Sequence, residues 1–479
     1  MPAEAWEALC DNLDPASGKT LTLRQKENRR IVPKSVSLLY GLTQDERLLE
    51  AFRGSVRETM DDIGSEMQMR IRKGGRSEDR MTDNAVGGEF IHLTSRPIDG
   101  APDPHLHARC FVFNTTFDSQ EGGGWKAGQF GNLKRDAPYF EAKFHVRLGE
   151  RLARLGLEIE RTRAGWEIAD IGLELIQEFS RGTAEIEDEA RRKGITDPAA
   201  KTVQRKQKHL TMEELQEEWL SRLTADEESS LAIAAGRIGS ALRALDQAAA
   251  RTGIVLAADH LFERKSVVSE RTLLAEGLKR VVGQGTVDAV ETAYCSEAFL
   301  VRERHGRRMV TTPAVLAEER RVLEFARRGR GKERALASGP HRFQREWLNG
   351  DQRRAVLHVV QSRNRVTLIR RAAGGGKTAM MQEAVEGIEV GAQQVFTFAT
   401  SVKASRGVLR ENGFETADTV TRLLIDEKLQ QQIIGQVIWI DEARVVGIRT
   451  MSRVFEPAER LDARVVLSGD GGTERRSTC

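Results

Sequence analysis

The octapeptide Arg371-Ala372-Ala373-Gly374-Gly375-Gly376-Lys377-Thr378 lies between an apolar run, Val366–Ile369, and a segment with helical spacing, Ala379–Val385. Strand, glycine-rich turn and helix in that order form the context of a phosphate-binding Walker A loop. Gly374, Gly375 and Gly376 let backbone N–H groups wrap nucleotide phosphates at a helix N-terminus. Lys377 is expected to reach the β and γ phosphates of ATP, and the Thr378 hydroxyl to hold Mg²⁺. Arg371 stands at the first-glycine position, where a side chain crowds the turn. Downstream, Val437-Ile438-Trp439-Ile440-Asp441-Glu442 is a buried-strand run ending in two carboxylates. A parallel strand brings such an end to the sheet edge beside the loop, so Asp441 is expected in the Mg²⁺ shell and Glu442 as the group that polarises the attacking water.

The chain has 479 residues, room for about three domains. After Arg342, helices alternate with the apolar strands Val366–Ile369, Gln394–Ala399, Val437–Ile440 and Arg464–Ser468, which implies a parallel sheet. Residues 341–479 are therefore expected to form an α/β P-loop domain. Between 171 and 340 the composition turns to long Glu, Arg, Ala and Leu-rich helical segments, with Thr211 and Glu214 placed to cap one of them. From Ile91 to Asn114 short alternating apolar stretches are punctuated by Pro and Gly, so the front region, residues 1–170, reads as α+β. Lys and Arg total 74 against 71 Asp and Glu, a net charge of +3, so nucleic-acid binding has to rest on local patches. No apolar run approaches the ~18 residues of a membrane helix, and the opening residues have no signal-peptide pattern, so a cytoplasmic chain is expected. Cys10, Cys110, Cys295 and Cys479 form no C-x-x-C pair and read as reduced thiols.

The front region carries Asp103-Pro104-His105-Leu106-His107-Ala108-Arg109-Cys110. In a strand, His105 and His107 project to one face and Leu106 to the other. With His92 from the neighbouring strand Glu89–Thr94 they can make a three-histidine metal site. Taken without context, an H-x-H pair in a half-buried strand is more often structural, so the residues alone leave both readings open.

Pro33-Lys34-Ser35-Val36-Ser37-Leu38-Leu39-Tyr40, Glu89-Phe90-Ile91-His92, Pro102-Asp103-Pro104-His105-Leu106-His107 and the segments Trp125–Gly128 and Ala137–Phe140 resemble, in this order, the conjugative relaxases of the TrwC/TraI (MobF) class. The resemblance spans about residues 4–170 and continues into a helicase-like region. It implies an antiparallel relaxase fold, a helical connector and a RecA-like domain. It also implies that His92, His105 and His107 hold a divalent ion (Mg²⁺, Mn²⁺ or Zn²⁺), which polarises a DNA phosphate for attack by a tyrosine hydroxyl. In the rear region, Leu348–Ala355 resembles the adenine-reading Q motif of superfamily 1 helicases, with Gln352 the reader. Ala399-Thr400-Ser401 resembles motif Ia, with Thr400 and Ser401 touching single-stranded DNA. Val465–Asp470 resembles motif III, with Thr473 where that family has glutamine.

The implied partners are single-stranded DNA at a plasmid transfer origin, the relaxosome and type IV secretion coupling proteins. The family's nucleophilic tyrosines precede the matched region, and this chain has only Tyr40, Tyr139 and Tyr294. Tyr40 and Tyr139 fall at positions that are not nucleophiles. The helicase resemblance ends within the first RecA-like domain, so the second is expected to be missing from this chain. The expectation is therefore nicking and unwinding machinery impaired in this chain, and the alternatives are an inactive DNA- and ATP-binding remnant or an ATP-switched DNA-binding protein.

Overall fold

The computed structural model describes residues 3–11, 13, 15, 18, 26–95, 101–120, 124–180, 210–240, 246–371 and 376–470. It divides into two compact units, Met1–Ala258 with Glu270–Glu297 and Asp259–Ser269 with Ala298–Cys479.

The first unit is built on an antiparallel sheet of β1 (Lys26–Ile31), β2 (Gly87–Thr94) and β3 (Pro104–Val112), in the order β1-β3-β2. The alternation expected of β3 is present: Pro104, Leu106, Ala108, Cys110 and Val112 are buried, while His105, His107, Arg109 and Phe111 share the opposite face. The buried face receives the helix Lys34–Thr43, in which Ser35 through Gly41 are all buried. The Ser37 hydroxyl of this helix accepts the backbone N–H of Leu106, which pins helix and strand together. Glu46–Ser65 and Ala137–Arg154 pack on each other in the same unit, with Phe52 meeting Phe144 edge to face.

Residues 210–240 are helical, as their composition implies. Thr211 opens the helix Met212–Ser221 in a capping box with Glu214, and this helix and Ala225–Arg237 pack on Lys34–Thr43. The stretch from 298 to 328 adds the hairpin Leu300–Arg304 and Arg307–Thr311 and the helix Pro313–Arg328 to the second unit. Among the described residues, no helix is long and apolar enough to cross a membrane.

The second unit holds a five-stranded parallel sheet of β4 (Val366–Arg371), β5 (Val395–Ala399), β6 (Asp418–Thr419), β7 (Val437–Ile440) and β8 (Arg464–Asp470), in the order β4-β8-β7-β5-β6. Every residue of β5 and β7 is buried, the signature of strands covered on both faces. Val437, Trp439 and Val466 face a core with the helices Gly350–Val360 and Lys377–Glu389. Ile438, Ile440, Val465 and Leu467 face the other core, with Phe325, Val454 and Phe455. The period of two along each strand divides one apolar run between two helical layers.

Candidate histidine centre and nucleotide site

In the antiparallel register of β2 and β3, His92 stands directly opposite His107, and alternation puts His105 on the same face. The His92 and His107 rings lie 5.0 Å apart with their planes within 18°, and His105 and His107 are 4.7 Å apart at 42°. The Nδ1 of His107 is 2.9 Å from the His105 carbonyl. A hydrogen bond there puts the proton on Nδ1 and leaves Nε2 as the ring's electron-pair donor.

The donor set suits a first-row divalent ion, three imidazoles on one face of one strand pair. The ring planes do not converge as they stand, because two nearly parallel rings direct their in-plane lone pairs side by side. Among the described residues, no group of three or more His, Cys, Asp or Glu side chains is arranged to hold an ion. His92 is exposed and its ring makes no hydrogen bond among the described residues, so turning it toward His107 breaks no such bond.

The turn ahead of His105 is held from afar. Asp103, 2% exposed, accepts from Arg222 at 3.0 Å, and the Trp219 indole N–H donates to the Pro102 carbonyl at 2.8 Å. Lys34 donates to the Pro104 carbonyl at 2.6 Å. Trp219 and Arg222 lie at the end of the capped helix Met212–Ser221, beyond residue 170, where the motifs that resemble a relaxase end. Their signal was a fully buried tryptophan on an otherwise acidic helix, which periodicity alone does not connect to Asp103. Cys110 is no competing ligand: it lies on the core face of β3, where burial pushes its thiol up to about 11.

The three tyrosines are core residues, with exposures of 3 to 6%. The Tyr139 hydroxyl donates to Glu291 at 2.6 Å, and burial followed by that carboxylate raises its pKa far above the phenol value. The Arg271 guanidinium lies 4.2 Å from the centre of its ring. A buried phenol held this way links two helices and is unsuited to attack a phosphate.

In the second unit, Ala372 through Gly375, and with them Gly374 and Gly375, lie outside the described residues. Gly376 sits at φ +67°, and a Cβ built there meets the Gln352 amide nitrogen at 2.5 Å. Gln352 is buried at 5%, where its side-chain oxygen accepts the Asn349 N–H in a capping box and its amide donates to the Gly376 carbonyl at 3.3 Å. The glutamine thus ties the start of one helix to Gly376, at the N-terminus of another. Gly376→Ala combines a left-handed backbone with displacement of that amide, and it is expected to cost the second unit about 2 kcal/mol in denaturant unfolding. In a Gln352→Ala background the cost should fall to the backbone part alone. Equal costs in both backgrounds would show that the amide is not displaced.

Lys377 Nζ is 2.5 Å from the Asp441 carboxylate, which also accepts from the Ser468 hydroxyl at 2.8 Å. Ser468 in turn accepts the Trp439 indole N–H at 2.9 Å. The buried strands β7 and β8 thereby aim Asp441 at the helix N-terminus where Lys377 and the half-buried Thr378 sit. Glu442, the next residue, is exposed and held at φ +52°. That conformation costs a non-glycine residue on the order of 1 kcal/mol and directs the carboxylate out of the strand line.

At the end of β5, Thr400 and Ser401 are exposed, and Ser401 accepts the Ala404 N–H, capping the turn that follows. Nearby in sequence, Asp418 of β6 is 2% exposed and pairs with Arg406, Arg410 and Arg422. Burial works against its charge, but the hydrogen bonds from Arg422, the Thr419 N–H and Arg406 prevail and hold its pKa below the carboxylate range.

Residues 1–225 match the family model of the TrwC relaxase, and residues 347–472 match that of an AAA domain. The chain is 29% identical over 202 residues to the multifunctional conjugation protein TraI of Escherichia coli, covering 40% of this chain and 11% of that one. It is 30% identical over 165 residues to the conjugal transfer protein TraA of Rhizobium radiobacter, covering 34% of this chain and 15% of that one. It therefore spans only 11 to 15% of the length of these relatives. Among solved structures, it is similar to TrwC complexed with a 27-mer DNA comprising the recognition hairpin and the cleavage site, at 25% identity and a TM-score of 0.37, over 43% of this chain and 73% of that one.

Proposed function

We propose that this chain, whose residues 1–225 match the TrwC relaxase family model and whose residues 347–472 match that of an AAA domain, grips and processes single-stranded DNA at a plasmid transfer origin. The observation that carries this reading is the co-location of His92, His105 and His107 on one sheet face inside the relaxase match. In this reading the three imidazoles hold a divalent ion, which when bound supplies a Lewis acid for a DNA phosphate. The chain's own residues do the rest of the positioning. Asp103, Arg222 and Trp219 hold the turn ahead of His105, and the Nδ1 bond of His107 leaves Nε2 as its electron-pair donor. Tyr40, Tyr139 and Tyr294 serve packing, so the attacking hydroxyl of such a reaction is none of these three.

The second unit binds ATP with Mg²⁺ in the same proposal. Gly374, Gly375 and Gly376 cradle phosphates, Lys377 and Thr378 meet the terminal phosphates and the ion, Asp441 joins the ion's shell, and Glu442 orients water. Gln352 supports the loop through Gly376 and borders the base, and Thr400 and Ser401 meet the single strand. Relaxosome and secretion coupling proteins in the cytoplasm are the partners this role calls for.

Calorimetric titration of Mn²⁺ or Zn²⁺ into nucleotide-free protein tests the histidine centre. One bound ion is expected, with affinity lowered at least about a hundredfold in His107→Ala, since one of three ligands is lost. An unchanged isotherm in that variant, or no binding in the wild type, would sink the reading of these histidines.

A further inference from the structure

The face of the sheet that carries the histidines also carries an aromatic series with one open end. Phe90 lies two residues from His92 on β2 and directly opposite Arg109 of β3, so alternation places all three on the outward face. Its ring is 56% exposed and lies over Phe111, 5.8 Å away and within 19° of parallel. Phe111 is backed in turn by Trp6, edge to face at 6.0 Å, and Trp6 also meets Phe113 at 5.6 Å. Gly88 makes this series possible, since a Cβ there would lie 2.9 Å from the Phe111 ring and 3.1 Å from Trp6.

An exposed phenylalanine is ordinary when isolated. This one stacks on Phe111, which Trp6 holds from behind, and among the described residues its ring is left 56% exposed. Its surroundings are an arginine and imidazoles, groups that complement a phosphate and not an apolar peptide. A nucleotide offers both halves of that pattern, a planar base and an anion one sugar away. Positions i and i+2 on a strand are roughly 6.6 Å apart, within the reach of one nucleotide.

We propose that Phe90 is a stacking platform for one unpaired base of a DNA strand, seated so that the adjoining phosphate lies over His92, His105 and His107. The proposal rests on the single-strand reading of the relaxase domain and names the residue that positions the DNA there. Phe90 is a positioning residue: it touches the base, and the histidine face meets the phosphate.

The test uses the full chain and a thymidylate oligonucleotide, beside an abasic deoxyribose-phosphate oligomer of the same length. Phe90→Trp puts a fluorophore at the platform, and its emission in excess of the wild type's is expected to be quenched by the thymidylate strand and not by the abasic one. Phe90→Ala is expected to bind the thymidylate strand about tenfold more weakly, as loss of one stacked base predicts, with an unchanged melting temperature because the ring is largely exposed. Wild-type binding together with an unquenched Phe90→Trp would overturn the platform and leave the single-strand reading standing. A wild type that binds no single-stranded DNA at all would overturn both.

Discussion

Replacing Lys377 by alanine is expected to weaken ATP binding by about a hundredfold or more, the effect of removing a charge-assisted contact to the terminal phosphates in a partly buried site. The Lys377–Asp441 ion pair sharpens this expectation. Lys377 lies 2.5 Å from Asp441, so in the proposed role nucleotide with Mg²⁺ is expected to separate the pair, the ammonium going to phosphate and the carboxylate to the ion's shell. Asp441→Asn removes the resting partner and should leave ATP binding in the absence of Mg²⁺ nearly intact while abolishing its enhancement by Mg²⁺. Fluorescent nucleotide titrations with and without Mg²⁺ read both effects. Wild-type affinity in Lys377→Ala would show that the loop does not use this residue for phosphate.

The second large effect concerns Glu383, on the helix Lys377–Glu389 that begins at the phosphate loop. Its carboxylate is 1% exposed and is bound by His341 at 3.0 Å, by the N–H groups of Gln344 at 2.7 Å and Arg345 at 3.1 Å, and by the Arg345 guanidinium at 3.0 Å. These bonds fasten residues 341–345, which lead into Asn349 and Gln352, to the helix that carries Lys377. Glu383→Ala orphans several donors at once and should cost about 3 to 5 kcal/mol of unfolding free energy.

The pH dependence follows from the direction of the shift. Burial opposes the Glu383 charge, but the Gln344 N–H, Arg345 and His341 together outweigh it, so the folded pKa lies below the unfolded one. Such a group contributes fully above the unfolded value, near pH 4.5, and its contribution is lost as pH falls through the depressed folded value. The stability gap between wild type and Glu383→Gln should thus be level at neutral pH and narrow on acidification below about 4.5. A gap that widens on acidification would contradict the clamp. Urea denaturation at a series of pH values, followed by a probe in the second unit, measures it.

The strand, turn and helix around Lys377 and the strand before Asp441 were legible because their signal is local. A glycine-rich turn between strand and helix, and an apolar run ending in Asp441 and Glu442, each describe their own backbone context within a dozen residues, and β4 and β7 form where those runs lie. The role of Gln352 was less legible, because the capping box and the bond to the Gly376 carbonyl depend on how two helices meet. Glu383 gave no signal at all: a glutamate at a helical position reads as solvated until the segment before Asn349 folds over it.

The histidine face divides in the same way. Alternation along Pro104–Val112 by itself determined that His105 and His107 share a side, since the period of a strand is a property of covalent geometry. Which residue stands opposite His107, how the rings are inclined, and what holds the turn before them were decided only by the tertiary structure. Trp219 and Arg222 reach Pro102 and Asp103 across 117 and 119 residues of sequence, and Tyr139 is withdrawn from chemistry by Glu291, 152 residues away. Periodicity carries no information over such separations. The sequence by itself determined the strand and helix on either side of the glycine-rich segment, the strand that ends at Asp441 and the shared face of two histidines, because those follow from spacing along one element. The packing of distant elements decided which of these groups are aimed, which are buried, and that Phe90 is left open beside them.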